Sequence, residues 1–169
     1  MLELGCGTGQ WTEYFIKKGF KLTGIDISDE MLKFAHSKSL NADFLKADSS
    51  QIPFDDNSFS AVSSITMLEF VEDQNKVLQE AYRVLKPGGW LILGCLNANS
   101  ELGKNKENDE VFKDAHFLSS DELKHKLRNF NNIKMGFGIY YSSTFELLDG
   151  KTEIDTEPAF IAAIAQKKI

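Results

Sequence analysis

The chain begins Met1-Leu2-Glu3-Leu4-Gly5-Cys6-Gly7-Thr8-Gly9, an apolar strand that runs directly into three alternating glycines. Glycine lacks a Cβ, so a strand can reverse sharply there and its backbone N–H groups can approach a ligand closely. The helix predicted from Gln10 to Lys18 places this turn at a helix N-terminus, where unpaired N–H groups favour polar or anionic ligand groups. A plain tight turn is the alternative interpretation, since such a motif also occurs without a ligand.

The spacing of these glycines separates two classes of cofactor. A dinucleotide-binding turn reads GxGxxG, whereas this turn reads GxGxG and continues with Gln10. The sequence carries no lysine or arginine close to the turn that would meet a phosphate. The spacing therefore predicts a ligand without phosphates.

Acidic residues end the next two predicted strands. Asp26 closes the strand Phe20–Ile27, 17 residues after Gly9, and a carboxylate there can accept both hydroxyl protons of a ribose. Asp48 ends the strand that begins at Ala42, where it could accept a hydrogen bond from an adenine amino group. For Asp26 the alternative is an acid that only favours a helix N-terminus, because Ser28-Asp29-Glu30 is predicted to begin a helix with Ser28 as its N-cap. Because parallel strands end at one edge of a sheet, both acids and the glycine turn are expected to share one crevice.

Strands and helices alternate along the chain, which predicts a single α/β domain with helices on both faces of a parallel sheet. Asp73 is predicted to cap a helix from Gln74 to Leu85, which Pro87-Gly88-Gly89 ends. A strand is then predicted at Trp90–Leu96, a polar loop at Asn97–Phe117 and a helix at Ser120–Phe130. The strands Ile133–Tyr141 and Ala159–Gln166 are predicted to form a closing antiparallel hairpin, and Asp149-Gly150 between them is a turn signal.

The composition and charge of the chain indicate which partners are disfavoured and in which cellular compartment it is expected. A net charge of −6 and a pI near 5.1 disfavour nucleic acid, which binds clustered lysine and arginine, and an anionic membrane surface. The sequence has no apolar run long enough to span a membrane and no secretory leader, so a cytoplasmic protein is expected. Cys6 and Cys95 form no CxxC pair, and with no histidine cluster either, two reduced thiols and no metal site are predicted.

Together these segments resemble the class I methyltransferases that use S-adenosylmethionine, in the type 11 small-molecule branch that includes quinone-biosynthesis enzymes. The resemblance covers Leu2 to about Leu96. Its motifs are the opening strand and turn, Gly24-Ile25-Asp26-Ile27-Ser28 with Met31, Ala47-Asp48 with Ile52-Pro53-Phe54 and Ser58-Phe59, and Arg83-Val84-Leu85-Lys86-Pro87-Gly88-Gly89. It implies a Rossmann-like, doubly wound sheet in the order 3-2-1-4-5-7-6, with strand 7 antiparallel.

The resemblance also implies how S-adenosylmethionine would bind. The backbone of Gly5, Cys6, Gly7 and Gly9 would line its methionine and ribose portions, and Glu3 would anchor its amino group directly or through water. Asp26 would accept the ribose hydroxyls, Ile27 and Met31 would pack on adenine, Asp48 and the N–H of Ser49 would meet its polar edge, and Ile65 would close the other side. Met31 has an alternative assignment to the core, because it shares helical spacing with Phe34 and Ala35.

The catalytic residues remain unassigned from the sequence. Glu69 stands after the fourth strand, Ser60–Met67, where relatives of this branch often carry histidine, and it is either a base or an acid that favours a helix start. His116 is a second candidate base or a solvated side chain, and only one of Tyr140 and Tyr141 can face inward. The sequence lacks the Asn/Asp-Pro-Pro-aromatic signature of the branches that methylate base or glutamine amino groups.

The first strand starts at residue 1, whereas family members place a helix before it that covers the cofactor. We therefore expect residues 1–169 to be one methyltransferase domain shortened at its N-terminus, with weakened cofactor binding. A second copy in a homodimer, or the loop Asn97–Phe117, would supply the cover, although that loop has the alternative of an inert surface excursion. Three functions remain open: a methyltransferase for a small-molecule acceptor, a non-catalytic cofactor-binding module, and a nicotinamide oxidoreductase.

Overall fold

The computed structural model describes residues 1–38, 40–141, 147–148 and 156–169. The strands are β1 Leu2–Leu4, β2 Leu22–Asp26, β3 Ala42–Lys46, β4 Phe59–Ile65, β5 Leu85–Leu96, β6 Asn131–Gly138, β7 Tyr140–Tyr141, β8 Leu147–Leu148 and β9 Phe160–Gln166. The helices are α1 Gln10–Lys17, α2 Asp29–Ser37, α3 Gln74–Val84, α4 Glu101–Lys104 and α5 Ser120–Lys126, with single 3₁₀ turns at Leu68–Phe70 and Lys106–Asn108. Strands and helices alternate as predicted from β1 to β3, and β4 then follows β3 without a helix between them.

The described residues form a sheet in the order β3-β2-β1-β4-β5-β9-β6. The pairs among β1 to β5 are parallel, and β9 runs antiparallel between β5 and β6. Since β9 is the seventh strand of this sheet along the chain, the predicted order and its antiparallel strand are confirmed. The strands β7 and β8 form a separate two-stranded ladder.

Alternation along β1 divides the two faces of the sheet. Leu2 and Leu4 are almost fully buried in the main apolar core, while Glu3 between them points to the face that carries α1. The core receives side chains from the neighbouring strands and from α3 and α5, among them Ile25, Val62, Leu91, Val77, Ala81, Leu123 and Leu127. This packing fixes the register of β1, whose carboxyl end leads into the glycine turn.

Polar side chains cap four helices, among them α4, where Ser100 accepts the N–H of Gly103 at 3.1 Å. Ser28 accepts a hydrogen bond from the N–H of Met31 at 3.3 Å, and Asp73 accepts one from Lys76 at 3.0 Å, which confirms both predicted caps. Ser119 and Glu122 form a reciprocal capping box at α5. Because Ser28 is the cap of α2, Asp26 lies outside that helix.

Arg83 on α3 holds the segment that follows β3. Its guanidinium donates to the carbonyls of Ile52 and Phe54 at 2.9 and 2.8 Å, and pairs with Asp56 and Glu80. Planar guanidinium donors fit several acceptors at once, so one side chain fixes a loop of about five residues. The family-like Ile52-Pro53-Phe54 motif is therefore anchored to α3.

Several predicted boundaries were wrong for local reasons. β4 ends at Ile65 because Thr66 takes φ 49°, outside the extended region. β5 begins at Leu85, and Pro87-Gly88-Gly89 lies within an irregular stretch between the pairs Phe59 with Leu85 and Ala61 with Trp90. The segment Ser142 to Pro158 contains β8, whereas the predicted turn at Asp149-Gly150 lies outside the described residues.

Candidate functional site

The glycine turn after β1 adopts left-handed backbone at Gly5, Gly7 and Gly9, with φ of 65°, 52° and 77°. A side chain at any of these positions would be strained, which explains the residue type at all three. The turn is closed by the N–H of Gly9 on the carbonyl of Cys6 at 2.8 Å. Gly9 is also the N-cap of α1 and makes no side-chain capping bond, so the helix N-terminus faces the turn directly.

Asp26 lies against this turn, as the sequence predicted. Its Oδ2 accepts the N–H of Gly7 at 2.8 Å, and its Oδ1 accepts the N–H of Ser28 at 2.9 Å. The carboxylate is thus fixed by two backbone donors while each oxygen keeps a second lone pair. The carboxyl ends of β1 and β2 therefore meet in one crevice.

Open space and exposed apolar side chains surround this pair. A Cβ built on Gly7 would meet no described atom within 4 Å. Ile27 is 69% exposed and Met31 39% exposed, whereas Ala35 of the same helix is fully buried. Met31 is therefore not a core side chain, and it is exposed together with Ile27 where the chain passes from Asp26 into α2.

The remaining predicted contact residues lie at the same edge of the sheet with different surroundings. Asp48 is exposed, and its Oδ1 accepts the N–H of Ser50 at 2.7 Å; this bond holds the pKa of the carboxyl below its usual range. Ser49 is buried beside it. Ile65 ends β4 and packs beside Gly94 of β5, where its Cγ2 is 3.0 Å from the position of a Cβ on Gly94.

Glu3 lies beneath the turn and is only 2% exposed. Its Oε2 accepts the hydroxyl of Thr12 from the first turn of α1. Burial raises the pKa of Glu3 to about 7, the Thr12 hydrogen bond opposes this rise, and the charge of Asp26 adds to it. The sequence analysis did not predict a role for Thr12. The pattern that could have indicated it is a hydroxyl residue in the first turn of α1, the helix that packs over the acid Glu3 of β1.

Glu3→Gln is expected to flatten the pH dependence of the free energy of unfolding between about pH 5 and 7.5. Glu3 ionises near 7 when folded and near 4.5 when unfolded, so its stabilisation is complete below pH 4.5 and is lost as pH rises through 7. A rise of this size corresponds to about 3 kcal/mol. Urea titrations across this range measure it.

The matched control for this experiment is Glu13→Gln, an exposed acid paired with Lys17. It should retain the wild-type loss of stability across the same range, because the hydrogen bond from Lys17 holds the pKa of Glu13 below its usual value. Equal slopes for Glu3→Gln and wild type would contradict the assigned environment of Glu3.

Met67 contacts the glycine turn from the end of β4. Its Cγ lies 2.2 Å from the position that a Cβ on Gly5 would take. Thr66, the residue before it, is a β-branched residue at φ 49°, held by its N–H on the carbonyl of Gly94 at 2.7 Å. Gly5 is therefore required for close packing of Met67 as well as for its backbone conformation.

Glu69, one candidate base, is 1% exposed within the 3₁₀ turn after β4. Its Oε1 accepts the N–H of Leu96, and its Oε2 has no hydrogen-bond partner among the described residues. Burial raises the pKa of this carboxyl, which favours its neutral form. Through its hydrogen bond with Leu96, Glu69 links the 3₁₀ turn that follows β4 to the last residue of β5. His116 has an exposed side chain, and Tyr140 and Tyr141 are both half-buried in β7.

A glycine turn bonded to the acid of the next strand is the geometry expected of a nucleoside-binding crevice. A family model described as a methyltransferase domain matches residues 2–93. The chain belongs to this methyltransferase family. It is a class I, S-adenosylmethionine-dependent type, and S-adenosylmethionine is its cofactor.

Known proteins resemble this methyltransferase domain, two of them along nearly its whole length. MJ1123 of Methanocaldococcus jannaschii is 34% identical over 98% of the chain and 81% of that protein. The demethylmenaquinone methyltransferase of Chlorobaculum tepidum is 41% identical over 53% of the chain. A Thermotoga maritima structure, titled an S-adenosylmethionine-dependent methyltransferase and possible histamine N-methyltransferase, is 31% identical, with a TM-score of 0.79 over 99% of the chain and 81% of its own.

These relatives differ in length and in the acceptors that their names carry. The chain spans 81% of MJ1123 but only 37% of the demethylmenaquinone methyltransferase. The two named acceptors, a quinone precursor and histamine, differ in polarity and in charge. Family membership therefore identifies the cofactor and the reaction class without the acceptor.

The residues of the crevice fit S-adenosylmethionine. The left-handed glycines and the empty position beside Gly7 leave room for a ligand against the backbone. A fixed carboxylate at Asp26 suits a pair of ribose hydroxyls, and the exposed Ile27 and Met31 suit the face of a base. The described residues near the turn include no lysine or arginine paired with it, consistent with a cofactor that has no phosphate.

Both cysteines are buried free thiols. Burial raises the pKa of Cys6 to about 12 and also raises the pKa of Cys95, so neither is a reactive thiolate at neutral pH.

Within the described ranges, every helix is too short or too polar to cross a membrane.

Proposed function

We propose that residues 1–169 form one domain that transfers a methyl group from S-adenosylmethionine to a small-molecule acceptor. The observation that carries this proposal is the bond between Asp26 and the N–H of Gly7, which brings the carboxyl ends of β1 and β2 together. The net charge of −6 supports a small molecule over nucleic acid as acceptor. A cytosolic location and a homodimer remain predictions from the sequence.

In this proposal each predicted contact residue has a separate part in binding the cofactor. The backbone of Gly5, Cys6, Gly7 and Gly9 lines the methionine and ribose portions, and Asp26 accepts the ribose hydroxyls. Glu3 acts from beneath the turn on the amino group, whose positive charge would lower the pKa that burial has raised. Around adenine lie Ile27 and Met31 on one face, Asp48 and Ser49 at the polar edge, and Ile65 on the opposite side.

The protein's part in the reaction is mainly alignment. When bound, the cofactor supplies an electrophilic methyl on a sulfonium, whose S–C bond breaks as the acceptor–C bond forms while sulfur keeps the electron pair. Holding the acceptor in line contributes several kcal/mol without a proton transfer. An acceptor O–H, N–H or C–H must still lose a proton, to water or to a base. Glu69 is buried and its Oε1 is already bonded to the N–H of Leu96, so we do not assign it as that base.

Two alternative functions predict different outcomes of binding and turnover experiments on this protein. A non-catalytic module would bind S-adenosylmethionine without turnover, and a nicotinamide oxidoreductase would prefer a dinucleotide. The GxGxG spacing favours S-adenosylmethionine, and so does the lack of a lysine or arginine bonded to the turn among the described residues. Incubation with methyl-labelled S-adenosylmethionine and a metabolite extract should give a labelled small product, and a parallel titration with NAD should give no heat. Binding of the cofactor without any labelled product would support the non-catalytic module.

Gly7→Ala is expected to weaken the binding of S-adenosylhomocysteine about 30-fold while costing only about 1 kcal/mol of stability. The added methyl would point into space that is empty of described atoms and that the cofactor would fill. Calorimetric titration and urea unfolding give the two quantities separately.

Gly19→Ala is the matched control, since Gly19 has φ 90° and an equally open Cβ position at the opposite end of α1. It should lose a similar amount of stability and bind S-adenosylhomocysteine within about two-fold of wild type. If both variants bound the cofactor alike, the glycine turn would not be the binding site.

A further inference from the structure

We propose that the methyl acceptor has an apolar, aromatic body and binds against a wall formed by Phe70, Val111 and Phe112, named here the aromatic wall. This inference rests on the proposed function, because it names the substrate class of the same site. It is carried by the continuity between the glycine turn, Met67 and the aromatic wall.

The segment after β5 is a closed excursion with both ends fixed at the carboxyl edge of the sheet. Asn97 pairs with Leu118 in an isolated parallel bridge, and the N–H of Ala98 donates to the carbonyl of Leu118 at 3.2 Å. The N–H of Asn97 also donates to Ala159 at 2.9 Å, next to the start of β9. The long loop predicted from the sequence is therefore an ordered excursion over the end of β5, of the kind that often carries function.

Buried hydrogen bonds join this excursion to the turn after β4. The N–H of His116 donates to the carbonyl of Glu69 at 2.7 Å. The buried amide of Gln74 donates to the carbonyls of His116 and Leu68 at 2.8 and 3.2 Å. Since Glu69 is itself bonded to Leu96, the excursion and the turn form one fixed platform.

This platform places aromatic rings from the two segments together. The ring centroids of Phe70 and Phe112 are 6.1 Å apart, and Phe112 meets the buried Phe117 edge-on at 5.5 Å. Phe70 remains 51% exposed and Val111 67% exposed. Ordered rings with one face in solvent form a preorganised surface for a flat apolar ligand.

Continuity with the glycine turn distinguishes the aromatic wall from other exposed apolar side chains. Met67 packs on Gly5, and the N–H of Phe70 donates to the carbonyl of Met67 at 2.9 Å. A single 3₁₀ turn, with a rise of about 6 Å, therefore separates Phe70 from Met67, the residue that packs on the end of the turn proposed to hold the methionine portion of the cofactor. Phe34 is equally exposed at 53%, but it lies on α2, which packs on β2 and β3 at the other side of the crevice.

The groups around the aromatic wall define the chemistry of the acceptor. Aromatic and aliphatic surfaces bind an apolar body, and Glu69, which precedes Phe70, is buried. The acids at the edge of the aromatic wall are Asp109, whose Oδ1 accepts the N–H of Val111 at 2.8 Å, and the exposed Glu110. An aromatic compound fits the apolar surface, and a hydroxyl or amino group on it would be the nucleophile.

The test uses 2-naphthol as the aromatic probe and 1,4-diaminobutane as a polar probe, with and without saturating S-adenosylhomocysteine. Titrations followed by ligand-observed NMR should show wild type binding 2-naphthol at least about 10-fold more tightly than the diamine. Phe70→Ala and Phe112→Ala should each weaken 2-naphthol binding about 10-fold. The control Phe34→Ala should bind both ligands like wild type, and all variants should bind S-adenosylhomocysteine within about two-fold of wild type.

Equal 2-naphthol affinity in wild type, Phe70→Ala and Phe112→Ala would overturn the aromatic wall, as would tighter binding of the diamine. Failure of S-adenosylhomocysteine to bind wild type would instead reject the proposed function, while the naphthol arm without it would still test the aromatic wall. Circular dichroism should show all three variants folded, because Phe70 and Phe34 are about half-exposed and Phe112 is half-buried.

Discussion

Asp26→Ala is expected to weaken the binding of S-adenosylhomocysteine at least about 100-fold. The carboxylate is fixed by the N–H groups of Gly7 and Ser28, so it can meet two ribose hydroxyls without rearrangement. Each hydrogen bond to a charged group contributes about 1.5 to 3 kcal/mol, and two would be lost. Isothermal titration at about pH 7.5 measures the change.

The matched control is Asp29→Ala, which removes an exposed acid three residues later that pairs with Lys46. Exposed pairs contribute little, so this variant should bind S-adenosylhomocysteine within about two-fold of wild type. The variant Asp26→Asn distinguishes a loss of ligand contacts from a disturbed turn. The amide keeps the size of the side chain but loses its charge and half of its hydrogen-bond acceptors. Wild-type affinity in both Asp26 variants would show that the ribose assignment is wrong.

Gly5→Ala is expected to lower the free energy of unfolding by about 4 kcal/mol. The left-handed backbone at φ 65° costs an L residue about 1 to 2 kcal/mol, and the new Cβ would overlap Met67, at a further cost of about 1 to 3 kcal/mol. Gly7→Ala has the strain without the overlap and should lose only about 1 kcal/mol. Urea denaturation of the two variants beside wild type gives this difference.

A second substitution separates the two causes. In the double variant Gly5→Ala with Met67→Ala, the overlap is removed while the backbone strain remains, so the double variant should lose less stability than the sum of the single losses. Simple additivity would contradict the contact between Met67 and Gly5. A Gly5→Ala protein as stable as wild type would contradict both the contact and the backbone conformation.

These two expectations assign different work to neighbouring glycines of one turn. Gly7 faces open space and donates its N–H to Asp26, so we propose that it contacts the ligand, whereas Gly5 is covered by Met67 and stabilises the junction of β1 with β4. The same junction leads through the 3₁₀ turn to the aromatic wall. The cofactor crevice and the proposed acceptor surface are thus two sides of one packed contact.

Local chemistry in the sequence was sufficient to predict most of the strands of the sheet, the glycine turn and the contact of Asp26 with it. Three glycines after an apolar strand, acids at the ends of the next two strands and helix caps at Ser28 and Asp73 all act over a few residues. The contact of Asp26 with the turn followed from parallel topology, because neighbouring parallel strands end at one edge. Strand order followed from the family resemblance, and the structure confirms it.

Tertiary structure alone decided which side chains complete the site. Met67 on Gly5, Phe112 on Phe70 and the amide of Gln74 between two turns join residues that are far apart in the chain and share no local pattern. The burial that favours a neutral Glu69 likewise depends on β5 and on the excursion that packs over it. Local spacing determines backbone conformation and the exposed or buried face of each element, whereas contacts between elements depend on how their faces pack, which one-dimensional periodicity does not encode.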